Sequence, residues 1–455
     1  MRSINPATGE LIAEYDEHTD AEVDAILGRA RTAYQGWRRT SLVDRAAALG
    51  RVAALLRKER DEHAALMTTE MGKPLDQARA EVDKCAWACD YYAQHGERLL
   101  APTVVPTEAA ESYVQYLPLG PVLAVMPWNF PYWQLFRAGA AILLAGNVVL
   151  LKHAENVTGC ARAIVDLLAE AGLGEDVVQS LRLPGARTPA LLADDRIAAA
   201  TLTGSTRAGS TLAAAAGRAI KKCVLELGGS DPFIVLADAD VPRAAEWATR
   251  ARFQNTGQSC IAAKRLIVAE PVAEEFEAEL VRRVEALTVG DPTLPGTDLG
   301  PLARADLRDT LAGQVRRTVE AGGVVLTGGV AVAEPGFYYT PTVVRVEAGS
   351  GAPMLVEETF GPAVAVLRVP DARTAIEVAN DTPYGLSSNL WTRDLDRARR
   401  LAGELAAGSC FVNGMTASDL RLPFGGVKRS GYGRELGSFG PREFVNIQTV
   451  VIVAQ

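Results

Sequence analysis

Apolar residues recur at helical spacing through the first hundred residues of the chain. Val23, Ile26 and Ala30 are three or four positions apart, and Thr19 stands where the N-cap of a helix is expected. The pattern predicts a helix from Thr19 to about residue 37, a second helix over about 43–71 and a third that ends near residue 97. We therefore expect the chain to begin with a mostly helical segment.

Short apolar runs separated by helical segments follow from about residue 120. The runs at 122–126, 147–152, 178–181 and 199–202 are mostly apolar throughout, which is typical of strands in a parallel sheet that is covered on both faces. The same alternation restarts after Gly229 and continues to about residue 406. The pattern predicts an α/β fold with two sheet domains.

Two further segments fit neither sheet domain. Residues 100–118 read as an extended hairpin interrupted by prolines, and residues 444–453 read as a strand that could pair with this hairpin or with that of a neighbouring copy. We therefore predict a first domain from 1–99 and 119–228, a second domain from 229–436, and a β-arm for oligomerisation from 100–118 and 437–455.

Charge and hydropathy argue against several classes of partner. The chain has 455 residues, with 47 Lys and Arg against 55 Asp and Glu and a net charge of −8, which disfavours nucleic acid or an anionic lipid surface as the main partner. The longest apolar stretch, 138–151, is shorter than the about 20 residues that a membrane-spanning helix needs. The first residues lack the apolar segment of a secretory signal. We expect a cytoplasmic protein that binds neither nucleic acid nor membrane.

Cysteines and histidines are few and scattered. The 6 cysteines include no C-x-x-C pair, and the 4 histidines include no H-x-x-x-H pair. This usage is typical of a reducing compartment, and it argues against both a metal site and a Ser-His-Asp triad. Cys85 and Cys89 share one face of a helix, and we interpret them as core residues.

Three short segments carry candidate chemistry. Cys260 follows a polar, glycine-containing turn over 255–260, where partial exposure and nearby N–H groups would favour a reactive thiolate; an ordinary buried cysteine at a strand entry is the alternative. In PWNFP at 127–131, prolines and aromatic residues hold Asn129, which could donate a hydrogen bond to a developing oxyanion. The glycine turn at 204–209 before a helix is a weaker indication of a phosphate site.

Six motifs in order give the chain a resemblance to the aldehyde dehydrogenase superfamily over essentially its full length. They are PWNFP at 127–131, TGS at 203–205, LELGG at 225–229, GQSC at 257–260, EETFGP at 357–362 and PFGGVKRSGYGRE at 423–435. Within the superfamily the chain is most similar to bacterial succinate-semialdehyde dehydrogenases, through KCVLELGGSDPF at 222–233 and ASD at 417–419. The resemblance implies a Rossmann-like cofactor domain, an α/β catalytic domain and the β-arm.

The resemblance also implies the reaction and its residues. Cys260 matches the nucleophile that forms a thiohemiacetal and then a thioester, Asn129 matches the oxyanion donor, and Glu226 matches the general base. No metal is required. The residues that match cofactor contacts are Trp128, Lys152, Glu155, Gly204, Ser205, Gly209, Leu227, Glu358 and Phe360.

The expected cofactor is NAD, with NADP less favoured. A carboxylate at Glu155 would accept a hydrogen bond from the ribose 2′-hydroxyl and repel a 2′-phosphate. The alternative is that Glu155 is only a solvated charge at the start of a helix. His153 and Ala154 stand between Lys152 and Glu155, where the family more often has Pro-Ser or Pro-Ala.

The leading substrate is succinate semialdehyde. Arg137 matches an arginine that binds the substrate carboxylate in this group, and Trp133 and Ser418 are further candidate contacts. Gln254 stands where some relatives have a second arginine, which suggests a wider range of aldehydes. Ala262 stands where others have a second cysteine, and we expect no disulfide switch at Cys260.

Several alternatives remain open at this stage. Arg137 could be a helix-surface arginine paired with an acid, and the enzyme could act on a broad range of aliphatic or aromatic aldehydes. A cofactor-independent esterase or thioesterase acting through Cys260 is the alternative of another class. The expected partners are a small-molecule aldehyde and identical subunits, in a homodimer or homotetramer.

Overall fold

A small hairpin and four helices form the beginning of the fold. The computed structural model describes residues 1–332 and 335–454. Thr19 caps the first helix in a capping box with Glu22, as predicted, whereas the predicted second helix is two helices separated at Glu59. The elements are β1 (Arg2–Ile4), β2 (Leu11–Glu14), α1 (Asp20–Trp37), α2 (Leu42–Lys58), α3 (Arg60–Met71) and α4 (Leu75–Leu100).

Strands and helices alternate over the next part of the chain. These elements are β3 (Thr103–Val104), β4 (Glu111–Pro118), β5 (Pro121–Met126), α5 (Trp133–Leu144), β6 (Val148–His153), α6 (Thr158–Glu170), β7 (Val178–Ser180), β8 (Ala199–Thr203), α7 (Thr206–Arg218) and β9 (Lys222–Glu226).

A second alternation and a C-terminal strand complete the described elements. They are β10 (Asp231–Val235), α8 (Val241–Phe253), β11 (Ala263–Ala269), α9 (Glu270–Glu285), α10 (Ala305–Glu320), β12 (Val324–Thr327), β13 (Thr342–Arg345), α11 (Pro353–Val356), β14 (Ala363–Val369), α12 (Ala372–Asn380), β15 (Ser388–Trp391), α13 (Leu395–Ala402), β16 (Cys410–Val412), β17 (Gly431–Tyr432), α14 (Gly440–Glu443) and β18 (Val445–Ile452).

The strands form two large, mainly parallel sheets. The first has the order β17-β9-β8-β5-β6-β7, and the second has the order β12-β13-β14-β11-β10-β15-β16. In β10 the side chains of Phe233 and Val235 enter one apolar cluster, while Ile234 enters a cluster on the opposite face. Burial on both faces explains the continuous apolar runs in the sequence, and it confirms the predicted α/β fold with two sheets.

The β-arm is a separate antiparallel sheet in which β4 lies between β3 and β18. The C-terminal strand pairs with the arm of its own chain, from Val445 opposite Pro118 to Ile452 opposite Glu111. The predicted domain boundaries stay a prediction. In the described ranges, no helix combines the length and the apolar character needed to cross a bilayer.

Candidate active site

The turn before Cys260 has an unusual backbone. Asn255, Thr256 and Gly257 follow α8 with φ values of 57°, 55° and 70°, a left-handed region that costs free energy for residues with a Cβ. A Cβ at Gly257 would overlap the backbone of Gly361. The glycine in GQSC is therefore required by the close approach of two chain segments.

Buried hydrogen bonds hold this turn in place. The fully buried Arg252 side chain donates to the backbone oxygens of Ala363 (2.7 Å) and Thr359 (3.1 Å), and also to that of Gly361. Thr256 bonds through its hydroxyl to the backbone of Gly300. The surrounding structure thus supplies the bonds that keep a strained turn in one conformation.

Cys260 is half-buried at the end of the turn. Burial raises the pKa of its thiol to about 11, although the positive charges of Arg137 and Lys264 oppose the increase. Desolvation of the thiol therefore outweighs these two favourable charges. The Lys264 ammonium donates to the backbone oxygens of Ser259 (3.0 Å) and Cys260 (2.6 Å).

Asn129 lies beside the turn at 255–260. Its buried side-chain amide donates to the backbone oxygen of Gln258 (3.0 Å), and Asn255 donates to the backbone oxygen of Asn129 (2.9 Å). The segments PWNFP and GQSC are thereby joined, although 126 residues separate Asn129 from Asn255. Asn129 and Cys260 line the same cavity, so the Asn129 amide could donate to an oxyanion formed at the thiol.

Glu226 is the last residue of β9 and is almost completely buried. Neither carboxylate oxygen has a hydrogen-bond partner in the described part of the chain. Burial raises the pKa of Glu226 to about 8; Arg137 opposes this increase and Glu435 adds to it. A carboxyl group with this pKa can accept or release a proton near neutral pH.

Two cavities meet at Cys260. One, of about 190 Å³, is also lined by Trp133, Arg137 and Ser418, which are the three predicted substrate contacts. The other, of about 340 Å³, is lined by Asn129, Glu226 and several predicted cofactor contacts. Gln134 and Cys260 line both cavities, so a ligand in either cavity could reach the thiol.

Aromatic and acidic side chains both line the second cavity. The rings of Trp128 and Phe360 meet edge to face with centroids 5.7 Å apart. Glu358 accepts a hydrogen bond from the Gly229 N–H (3.0 Å) and lies 3.4 Å from the Lys264 ammonium. These contacts keep the Glu358 carboxylate at the boundary between the cavity and the turn at 255–260.

The glycine turn after β8 leads directly into α7. Ser205 is the N-cap of this helix and accepts from the Ala208 N–H (3.3 Å), and Gly204 and Leu227 line the second cavity. A Cβ at Gly209 would overlap the Leu227 side chain. Glycine at 209 therefore lets the first turn of α7 lie against the segment after Glu226.

Lys152, Glu155 and Gly209 lie outside both cavities. Lys152 is buried and lies near the carboxyl end of β6. The exposed Glu155 begins a short 3-10 helix. His153 is buried: its Nε2 lies 2.8 Å from the Pro131 oxygen, and its Nδ1 accepts from the Ala154 N–H. Burial lowers the pKa of His153 to about 4, so this departure from the usual motif is a neutral packing residue that contacts PWNFP.

Arg137 has partners within the protein. Its Nε pairs with Glu435, its Nη2 donates to Thr203 (3.1 Å), and its guanidinium lies 4.7 Å from the ring centroid of Phe424. The interpretation as a surface helix arginine is wrong because the side chain is 2% exposed, although the expected pairing with an acid is present. In the described ranges, Nη1 has no acceptor and remains available to a ligand.

The sequence interpretation missed Lys84, Lys264 and Glu435. Lys84 donates to Ser418 across the first cavity (2.7 Å). Lys264 supports the turn at 255–260, and Glu435 neutralises the charge of Arg137. Each acts through a partner that is distant in sequence or through the backbone, so no local pattern reveals its role. Glu435 does lie within a motif, as the last residue of PFGGVKRSGYGRE, but the motif does not indicate its pairing with Arg137.

The chain is similar to known proteins over nearly its whole length. The aldehyde dehydrogenase family model matches residues 1–450. Two similar proteins are succinate-semialdehyde dehydrogenase [NADP(+)] 1 of Mycobacterium tuberculosis, with 49% identity over 99% of both chains, and succinate semialdehyde dehydrogenase [NAD(P)+] Sad of Escherichia coli, with 47% identity over 98% of this chain and 97% of that one.

A solved structure extends the similarity to the whole fold. The succinic semialdehyde dehydrogenase of Streptococcus pyogenes, in complex with NADP+, has 36% sequence identity and a TM-score of 0.97 and covers 100% of both chains. The fold, the full-length family match and the identity to these enzymes agree. The chain belongs to the aldehyde dehydrogenase family and is an NAD(P)-dependent aldehyde dehydrogenase.

Proposed function

We propose that the chain oxidises succinate semialdehyde to succinate with NADP as the preferred hydride acceptor. The observation that carries this proposal is the meeting of two cavities at Cys260, one of which contains cationic side chains suited to a carboxylate. The names of the relatives in Mycobacterium tuberculosis and Streptococcus pyogenes support both the substrate and the cofactor.

The residues of the second cavity fit a nicotinamide dinucleotide. The N-terminus of α7 offers free backbone N–H groups for phosphate, the close packing of Gly209 on Leu227 keeps this approach open, and Trp128 and Phe360 provide aromatic walls. Lys152 and Glu155 would hold the adenosine ribose, and Glu358 the nicotinamide ribose. When bound, the cofactor supplies hydride acceptance.

The side chains around Cys260 divide the reaction between them. The Cys260 thiol gives its proton to solvent, its sulfur adds to the aldehyde carbon, and the Asn129 amide stabilises the oxyanion of the thiohemiacetal. Loss of hydride leaves a thioester on Cys260. Glu226 then takes a proton from water as the water attacks the thioester, which releases the acid and restores the thiol.

The substrate carboxylate is proposed to bind in the first cavity. Arg137 can offer Nη1 while Nε and Nη2 stay bonded to Glu435 and Thr203. Removing Arg137 would leave Glu435 buried without its partner, a change that typically costs about 3–5 kcal/mol of stability. An Arg137→Leu variant would therefore combine a folding defect with any loss of binding, and it is a poor test of substrate choice.

A comparison of substrates in the unmodified enzyme tests the proposal. Succinate semialdehyde and butanal have the same number of carbons, but only the first has a carboxylate. We expect kcat/KM for succinate semialdehyde to exceed that for butanal by about 100-fold or more, because a charge-assisted contact is lost with the neutral aldehyde. Equal values, or a preference for butanal or benzaldehyde, would contradict the proposed substrate.

Glu155 is expected to limit the preference for NADP. Its carboxylate would repel a 2′-phosphate, whereas the Lys152 ammonium nearby would attract one. A Glu155→Ser variant should raise the ratio of kcat/KM for NADP to that for NAD by about tenfold or more. Kinetics with each dinucleotide check this, with Glu170→Ser, at the end of α6, as the surface control. An unchanged ratio would exclude Glu155 from the ribose site.

We also propose that the β-arm mediates a homodimer or homotetramer. Strand β18 lies at the edge of the arm sheet, and Ile447, Val451 and Ile452 on it are exposed. An edge strand with exposed apolar side chains is suited to association with another copy of the chain.

A further inference from the structure

Lys84 extends from the middle of α4 into the cavity that also contains Arg137. Its ammonium donates to the Ser418 hydroxyl (2.7 Å) and lies 4.4 Å from the ring centroid of Trp133. The Lys84 side chain is half-buried, and it lines the same cavity as Cys260. The cation is therefore held at a defined place within reach of a ligand in the cavity.

The acids near Lys84 are already engaged by other cations. Glu81 lines the cavity, but it pairs with Lys73 and accepts from the backbone N–H groups of Tyr132 and Trp133. Asp419 pairs with Arg421. Within 1–332 and 335–454, no carboxylate forms an ion pair with Lys84.

The electrostatics of the cavity therefore favour an anion. Burial and the charge of Arg137 lower the pKa of Lys84 to about 8, although Cys85, Glu81 and Asp419 act in the opposite direction. A partly desolvated ammonium without a counter-ion is unfavourable, and an anionic ligand would remove this cost. Arg137 has Glu435 as its counter-ion, whereas Lys84 has none.

We propose that Lys84, together with Ser418, binds the carboxylate of an anionic aldehyde and determines the preference for it over neutral aldehydes. This inference rests on the proposed function and deepens it. The ammonium has two N–H donors left after its bond to Ser418, and the Ser418 hydroxyl can donate its own hydrogen while it accepts from Lys84. Arg137 already has Glu435 as its counter-ion, so it is assigned the supporting part.

Substitution of Lys84 tests the inference through the ratio of two substrates. In Lys84→Met, kcat/KM for succinate semialdehyde should fall about 100-fold, mainly through KM, while that for butanal stays within about threefold. Lys84→Arg should restore most of the preference. Arg79→Met removes a surface cation from the same helix, where it pairs with Asp61 and Asp76, and should leave both substrates unaffected.

The pH profile of the same ratio distinguishes binding from a structural role. A lysine with a pKa of about 8 loses its charge as the pH rises above that value, so the ratio for succinate semialdehyde over butanal should fall there. The ratio should be flat with pH in Lys84→Arg, because arginine stays charged. Dividing by the butanal value removes the pH dependence that both substrates share.

Three outcomes would overturn the inference. They are a Lys84→Met enzyme that keeps its preference for the anion, equal losses for both substrates, or a ratio with the same pH profile in Lys84→Arg as in the unmodified enzyme. Failure of the proposed function is separate, because the unmodified enzyme would then already lack any preference for succinate semialdehyde over butanal.

Discussion

Replacing Cys260 by alanine is expected to abolish aldehyde oxidation. The sulfur is the atom that is proposed to bond to the aldehyde carbon, and among the described residues no other cysteine lines either cavity. Loss of a covalent nucleophile commonly costs about 10⁴-fold or more in turnover. Steady-state formation of reduced cofactor measures the effect.

The control for this variant is Cys410→Ala. Cys410 is the other half-buried cysteine, and it lies in β16 of the second sheet, outside both cavities. We expect Cys410→Ala to retain most of its activity. Cys260→Ala should still bind the cofactor, because Trp128 and Phe360 are unchanged. Quenching of tryptophan fluorescence measures this binding. Substantial turnover by Cys260→Ala would contradict the assignment of the nucleophile.

Replacing Glu226 by glutamine is expected to stop the reaction after one acylation. An amide cannot take the proton of the attacking water, so the thioester on Cys260 should accumulate. Rapid mixing with substrate and cofactor should give a burst of reduced cofactor, close to one per active site, followed by a steady rate about 10²–10⁴-fold lower than that of the unmodified enzyme.

The pH dependence of the unmodified enzyme follows from the same residue. Glu226 accepts a proton only when it is ionised, and its pKa of about 8 means that hydrolysis of the thioester should accelerate as the pH rises through that value and then level off. Glu357→Gln, which changes a carboxylate paired with Arg317, should keep the profile. Absence of a burst in Glu226→Gln would contradict a role limited to hydrolysis.

Local patterns predicted most of the helices and the strands of both sheets. The capping box at Thr19 depends on close neighbours in sequence, and the apolar runs of the strands can be recognised from local composition. The boundary between α2 and α3 could not be predicted, because the apolar periodicity continues across Glu59. Helical spacing identifies which face is buried, but it does not reveal a short interruption of the backbone.

The charges of the site depend on contacts between distant segments. The resemblance predicts that Arg137 is a carboxylate ligand, but it does not reveal the buried pairing of Arg137 with Glu435, which spans 298 residues. The bond from Lys84 to Ser418 spans 334 residues, and the raised pKa of Cys260 arises from burial by several elements. Such effects become visible only when the fold brings the groups together.

The most direct test of the central claim is mass spectrometry of Glu226→Gln after it is mixed with succinate semialdehyde and NADP and quenched in acid. The peptide that contains Cys260 should gain the mass of one succinyl group, because the oxidised substrate is held as a thioester on that sulfur. A Cys260→Ala partner variant should gain none. An unmodified Cys260 peptide, or the same mass gain on another cysteine, would contradict the proposed reaction.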